Sequence, residues 1–166
     1  DSRPTPALPA RAPLALVFQA VPSLSDTGVI WRVGDSAAPK AYASYRRASP
    51  PAELVGQRLT ERLSRQGPVL AERASGQTPQ LQVYLSQFEQ VFTPDGSASE
   101  GRVLLQAVLL NGRNVVGQVR IATQAPAPTQ DAAGGVAALR QPTDDAADQL
   151  AQWLAGQPKA AARPGG

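Results

Sequence analysis

The sequence predicts a mixed α/β domain in which a largely antiparallel, twisted sheet is packed by two main helices. Short apolar or alternating segments, typical of strands, lie on both sides of an amphipathic segment with helical spacing. Two long apolar segments are joined by Asn111 and Gly112, a pair that favours a tight hairpin turn. A second segment with helical spacing lies near the C-terminus, between Val136 and Trp153.

The N-terminal part of the domain is predicted to form three strands. Residues 14–18 are continuously apolar and few, which indicates a central strand covered on both faces. Residues 29–33 alternate in polarity, and residues 41–45 follow as another extended piece. The turn-forming residues 36–39 between them predict a hairpin.

The first helix is predicted to begin at Ser49 and to end at Gly67. Ser49 is suited to the N-cap, Pro50 to the first helical position and Glu53 to the positive end of the helix dipole. Residues 69–73 then offer a short strand. The helix face assigned to the core consists of Val55, Leu59 and Leu63, which recur every four residues.

The middle of the chain reads as a meander of strands. Residues 81–85 alternate regularly, but the phase shifts afterwards, which predicts a bulge or sharp twist near Ser86 and Gln87. Residues 93–99 are predicted to form a turn loop, and residues 103–110, with apolar side chains on both faces, are predicted to lie in the interior.

The last helical segment contains Pro142, whose ring is expected to kink or break the helix at that point. Thr143, Asp144 and Asp145 are suited to cap a restarted helix. Core positions in this segment are predicted to include Leu150, Trp153 and Leu154.

The 166 residues fit one domain, and 42% of them are hydrophobic. Residues 14–156 are assigned to it. Residues 1–13 and 157–166 are rich in Pro, Ala and Gly without apolar periodicity, and are interpreted as a flexible N-terminal tether and a flexible C-terminal tail. A chain that begins at Asp1 rather than Met is interpreted either as a mature product whose targeting segment has been removed or as a chosen boundary.

The side-chain inventory argues against catalysis. Without His or Cys the chain cannot supply a Ser-His triad, a thiolate nucleophile or an ordinary zinc site, and no Gly-rich phosphate loop is present. The remaining options are a carboxylate pair or a dyad of Lys40 with Ser36 or Ser44. Lys40 is predicted to lie in water near a turn, and Asp144 and Asp145 are better explained as acids in the first turn of a helix. No catalytic residue, cofactor site or metal site is therefore predicted, and the protein is not expected to be an enzyme.

One cluster of basic and aromatic residues is a candidate contact site for a partner molecule. Tyr42, Tyr45, Arg46 and Arg47 lie close together in a chain of net charge +3 whose other basic residues are scattered among acidic ones. The structural alternative is a strand end that packs its tyrosines while the arginines face water. Because no longer basic cluster occurs, nucleic acid is not the expected partner.

The order of these segments resembles the ABC-type transport auxiliary lipoproteins, the paraquat-inducible protein C-like group. The resemblance covers about residues 14–156. Arg47 stands where members of this family often carry Trp, so no role of that Trp is carried over. The segments that carry the resemblance are GVIWRV at 28–33, the helix start at 49–54 and the alternating strand at 81–88.

The resemblance implies a non-catalytic periplasmic lipoprotein, anchored to the outer membrane through a lipidated Cys upstream of Asp1. Its implied role is to dock an MCE-domain protein and ABC transporter components of a lipid transport system in a Gram-negative cell. The implied fold is similar to the N-terminal domain of the translocation protein TolB. Self-association or partner docking is expected to cover strand faces that two helices leave open.

Two other functions remain open on the residues alone. The first is direct carriage of a lipid or small hydrophobic ligand in an apolar pocket between sheet and helices. The second is nucleic-acid binding through Arg46, Arg47 and the neighbouring tyrosines.

Overall fold

A computed structural model describes residues 8, 10–26, 28–34, 38–46, 49–71 and 78–157. The fold is mixed α/β, as the sequence predicts. A short 3-10 helix, Pro22–Ser25, follows the first strand. The strands are β1 (Leu14–Ala20), β2 (Gly28–Val33), β3 (Lys40–Arg46), β4 (Val69–Leu70), β5 (Gln80–Phe92), β6 (Ser99–Asn111) and β7 (Asn114–Pro126), and the helices are α1 (Pro51–Leu63), α2 (Ala132–Ala138) and α3 (Arg140–Ala155).

The described strands form one seven-stranded sheet organised around β5. Along one edge β5 pairs in parallel with β1 through its first half and with β2 through its last residues. Along its other edge β5 pairs with β6 over its whole length, and β6 pairs with β7, both in antiparallel register. On the β1 and β2 side, the two-residue β4 lies beside β1 and β3 lies beside β2; β7 ends the other side of the sheet.

The three helices pack against the same face of the sheet, and the main core lies between them and the strands. Alternation along each strand places every second side chain on this face. The opposite, helix-free face carries the half-exposed side chains of Tyr84 and Leu104. The fully buried leucines include Leu14, Leu59, Leu81, Leu85, Leu105, Leu109, Leu150 and Leu154.

The predicted bulge and both predicted hairpins are confirmed. The β5–β6 register shifts between Leu85 and Gln87, so the core phase of β5 moves by one residue at Ser86. Asn111 pairs with Asn114 around the intervening turn, where Gly112 has a φ of 64°. β2 and β3 pair in antiparallel register, although part of their predicted turn lies outside the described residues.

The predicted ends of α1 need correction. The helix begins at Pro51, with Pro50 rather than Ser49 in the N-cap position, and no side chain caps it. It ends at Leu63, before the residue predicted to close it. Gly67 instead permits a close approach of two chain segments, because a Cβ there would lie 2.4 Å from the backbone oxygen of Arg11.

The break near Pro142 occurs earlier than predicted. Leu139 separates α2 from α3, so Pro142 lies in the first turn of α3, where a missing backbone N–H costs no helical hydrogen bond. Thr143 does not cap the restarted helix: its hydroxyl donates to the Leu139 carbonyl. The side-chain cap in this region is Asp131, which accepts from the Gly134 N–H at the start of α2.

The packed part of the chain includes Arg11, which lies within the range assigned to the tether. Arg11 is only 7% exposed, and its backbone N–H donates to the Gln66 carbonyl. Its guanidinium donates to the carbonyl oxygens of Leu63, Gly67 and Pro68, next to the C-terminus of α1. A cation stabilises that helix end, where free carbonyl groups and the negative end of the dipole lie.

Candidate functional site

Three aromatic side chains meet where the β2–β3 hairpin joins the end of β5. The Trp31 ring centroid lies 6.0 Å from that of Tyr42 in a tilted arrangement and 6.0 Å from that of Phe92, edge to face. Both separations lie in the favourable range for aromatic pairs. All three rings are only half-buried. We refer to Trp31, Tyr42 and Phe92 as the aromatic cluster.

A cation lies on the aromatic cluster. The exposed Lys40 is the cross-strand partner of Trp31, and its Nζ lies 5.7 Å from the Trp31 ring centroid. This distance permits a cation–π interaction. Because β3 is the last strand of the sheet on this side, the cluster and its lysine lie at an outer edge of the described molecule.

Beneath the cluster, a chain of hydrogen bonds through the buried Gln90 fixes Tyr42. The Tyr42 hydroxyl donates to Oε1 of Gln90 at 2.7 Å, and Gln90 is fully buried. Nε2 of Gln90 donates to the Ser99 hydroxyl at 3.0 Å, and that hydroxyl donates to Oε1 of Gln130. A buried amide needs such partners on both of its polar atoms, so this chain holds the inner side of the cluster in one arrangement.

The electrostatic surroundings keep the Tyr42 phenol protonated. Burial raises the pKa of Tyr42, and the negative charge of Asp131 raises it further. The pKa of Asp131 is itself lowered by hydrogen bonds from the Thr129 hydroxyl and the Gly134 N–H. A phenol held protonated above neutral pH is a hydrogen-bonding contact group and is unsuited to act as a general base.

Of the predicted contact residues, the structure places Tyr42 in this cluster. The backbones of Tyr45 and Arg46 belong to β3, but their side chains, and all of Arg47, lie outside the described residues. The predicted grouping of the four side chains therefore remains a prediction.

Sequence reasoning missed Trp31, Phe92 and Gln90 as members of the site. The sequence does contain a signal for Gln90 and Phe92, which both lie on β5. Once the bulge shifts the phase of β5, Phe88, Gln90 and Phe92 all fall on the core-facing side, which makes a polar residue there conspicuous. The cross-strand pairing of Trp31 with Lys40 depends on a hairpin register that shifts between Gly28 and Ile30, which the sequence pattern does not reveal.

Chemically, this arrangement can offer a contact surface. Among the described residues, no cluster of three or more acidic, His or Cys side chains has the spacing to bind a metal ion. None of the described helices has the length and apolar character needed to cross a bilayer. The aromatic cluster and Lys40 together supply apolar area, a cation and a fixed hydroxyl at one side of the sheet.

The chain is similar in fold to solved structures. Protein XCC0632 from Xanthomonas campestris, described under the family model DUF330, matches with a TM-score of 0.77 and 20% identity, over 92% of this chain and 89% of that one. A second crystal structure, of an uncharacterized protein, matches with a TM-score of 0.70 and 15% identity, over 89% of this chain and 94% of the other. No family model matches the sequence, and no curated protein matches it either.

Proposed function

We propose that the chain is a non-catalytic accessory protein that docks partner proteins of an MCE/ABC-type lipid transport system at the outer membrane. The observation that carries the proposal is the half-exposed aromatic cluster with the exposed Lys40, where β2 and β3 meet the end of β5. Aromatic side chains with a rigid body and a polar tip are enriched at protein–protein contacts, where a few of them supply most of the binding energy.

Two further points support this proposal. The segments at 28–33, 49–54 and 81–88, on which the resemblance to the auxiliary lipoproteins rests, form β2, the start of α1 and the first part of β5. Trp31 of the aromatic cluster belongs to the first of these segments. In the proposed setting a lipidated Cys precedes Asp1, and the N-terminal residues link it to the packed chain at Arg11.

The test is direct capture of a partner. The MCE-domain protein of the same cell is purified and passed over the immobilised chain, and binding is followed by interferometry. We expect specific binding that Trp31→Ala together with Lys40→Ala weakens at least about tenfold, since aromatic contact residues typically contribute more than about 1.4 kcal/mol.

The matched control is Tyr84→Ala. Tyr84 is 39% exposed but lies on the helix-free face, away from the aromatic cluster. Its substitution should leave the affinity within about twofold. Absence of binding by the unaltered chain would contradict the proposed partner, and equal weakening by Tyr84→Ala would show that the contact lies elsewhere.

A further inference from the structure

A second exposed surface involves none of the residues of the aromatic cluster and lies where α1 crosses β1. β4 pairs with β1 only at Leu14 and Ala15, so among the described strands the rest of the outer edge of β1 has no neighbour. The backbone N–H of Ala15 donates toward the β5 side and that of Leu14 toward the β4 side. Alternation along the strand then directs the backbone groups of Phe18 and Ala20 outward.

Beside this free edge lies a shallow apolar hollow. Phe18 forms its floor and helix α1 its wall. A Cβ added at Gly56 would lie 3.2 Å from Cδ2 of Phe18, so the hollow depends on a glycine inside a helix, where glycine is unfavourable by about 1 kcal/mol. The residues of α1 that line the hollow are Ala52, Glu53, Gly56, Gln57, Thr60 and Glu61.

The rim of the hollow is acidic. Glu53 is exposed and makes no ion pair with a described residue. Glu61 is 68% exposed and lies 3.6 Å from Arg58, which is closer, at 2.9 Å, to Asp144 on α3. An apolar floor with exposed carboxylates at its rim is complementary to an apolar side chain flanked by cations.

We infer that the free edge of β1 and the adjacent face of α1 form a groove that binds an extended peptide segment of a partner protein, with an apolar anchor side chain flanked by Lys or Arg. Strand addition supplies backbone hydrogen bonds along the outward groups of β1, and the Phe18–Gly56 hollow receives the anchor. Glu53 and Glu61 pair with the flanking cations. The inference goes beyond the proposed function because it names a separate surface and the chemistry of its occupant.

The experiment is selection from a random peptide library, displayed on phage, on the immobilised full chain. The displayed peptides are long enough to add one strand. We expect the enriched sequences to carry an aliphatic or aromatic residue with Lys or Arg nearby. Synthetic copies should shift the amide resonances of Phe18 and Gly56 in NMR titrations of the labelled protein. Lack of enrichment, or enriched peptides that shift only other resonances, would overturn the inference.

Substitutions in the hollow and at its rim test whether the peptide binds there. Gly56→Ala fills the hollow while favouring the helix, and should weaken peptide binding at least about tenfold. Gly156→Ala, at the exposed C-cap of α3, is the matched control and should leave affinity unchanged. Glu53→Gln with Glu61→Gln should weaken binding about fivefold at low salt. Equal affinity of all these variants would overturn the inference.

Self-association is a separate outcome. If sedimentation shows that the chain forms dimers that Gly56→Ala dissociates, the groove binds a second copy, and the inferred partner peptide is wrong. Because these experiments use no MCE-domain protein, their failure leaves the proposed docking role standing, and failure of the capture experiment does not affect the groove.

Discussion

At the scale of single residues, the candidate site depends on one buried amide. Gln90 is fully buried and bonds Tyr42 on one side and Ser99 on the other. Gln90→Leu keeps similar bulk but removes this shared partner from both hydroxyls, so we expect the free energy of unfolding to fall by about 2 kcal/mol in urea denaturation. Gln106→Leu, at an exposed position on the helix-free face, should change it by less than about 0.5 kcal/mol. Equal losses would contradict the hydrogen-bond chain.

The sequence pattern gives no indication that Arg11 is buried. It lies in a segment rich in Pro and Ala, yet its guanidinium contacts three carbonyl oxygens near the end of α1, and burial lowers its pKa. Arg11→Ala should lower the free energy of unfolding by about 3 kcal/mol, because charged hydrogen bonds to buried carbonyls are lost. The control is Arg113→Ala, in the exposed hairpin turn, with an expected change below about 0.5 kcal/mol. Similar small changes in both variants would mean that the Arg11 contacts contribute little.

At the scale of elements, α1 and α3 are joined by two ion pairs of unequal burial. Arg62 is 5% exposed and its Nε lies 2.7 Å from Asp148, whereas Arg58 and Asp144 are 46% and 34% exposed. Asp148→Ala should therefore cost about 3 kcal/mol, since it leaves a buried cation without its anion. Asp144→Ala should cost less than about 1 kcal/mol.

The double variant distinguishes ion pairing from simple packing in this helix pair. Arg62→Met with Asp148→Leu removes both charges and should recover most of the stability lost in Asp148→Ala. Thermal and urea unfolding of Asp148→Ala, Asp144→Ala and the double variant measure these changes in stability. Recovery is expected because Nη2 of Arg62 has no hydrogen-bond partner among the described residues, so the buried guanidinium is incompletely compensated. A double variant less stable than Asp148→Ala would contradict this account.

The loop between β5 and β6 gives a prediction about pH. Asp95 accepts hydrogen bonds from the Ser97 backbone N–H and from the hydroxyls of Thr93 and Ser97, and these bonds lower its pKa from 3.8 to about 2. A pKa lowered by folding adds stability that is fully present above the unfolded value and is lost as pH falls from about 4 to about 2. Asp95→Asn should therefore show a shallower fall of its melting temperature across that window than the unaltered chain. Parallel curves would contradict the prediction.

At the scale of the whole molecule, the fold class was predictable because the signals for it are local. A few neighbouring residues are enough to indicate each of three features: the Asn111–Gly112 turn, the bulge at Ser86 and the four-residue spacing of α1. The site was less predictable because it is assembled across the sheet. Trp31, Tyr42 and Phe92 come from three strands, and their meeting depends on β2 pairing in parallel with the far end of β5. Such pairings between distant segments leave no periodicity in the sequence.

The sheet topology also predicts how stability is distributed. β5 is paired along its whole length with β6 and along most of its other edge with β1 and β2, and its central side chains, such as Leu81 and Leu85, are fully buried. Among the described strands, β3 pairs with β2 alone and through an irregular register, and its described side chains are exposed or half-exposed.

Local opening of β3 should therefore require much less free energy than opening of β5. In native-state hydrogen exchange followed by NMR, we expect the amides of residues 81–85 to exchange only through global unfolding, with a denaturant dependence equal to that of the whole chain. The amides of residues 41–43 should exchange at least about a hundredfold faster, with little denaturant dependence. Equal protection of the two strands would contradict this distribution of stability. The same measurement also tests the proposed docking: if the MCE-domain protein binds at Lys40 and Tyr42, adding it should slow exchange in β3 and leave β5 unchanged.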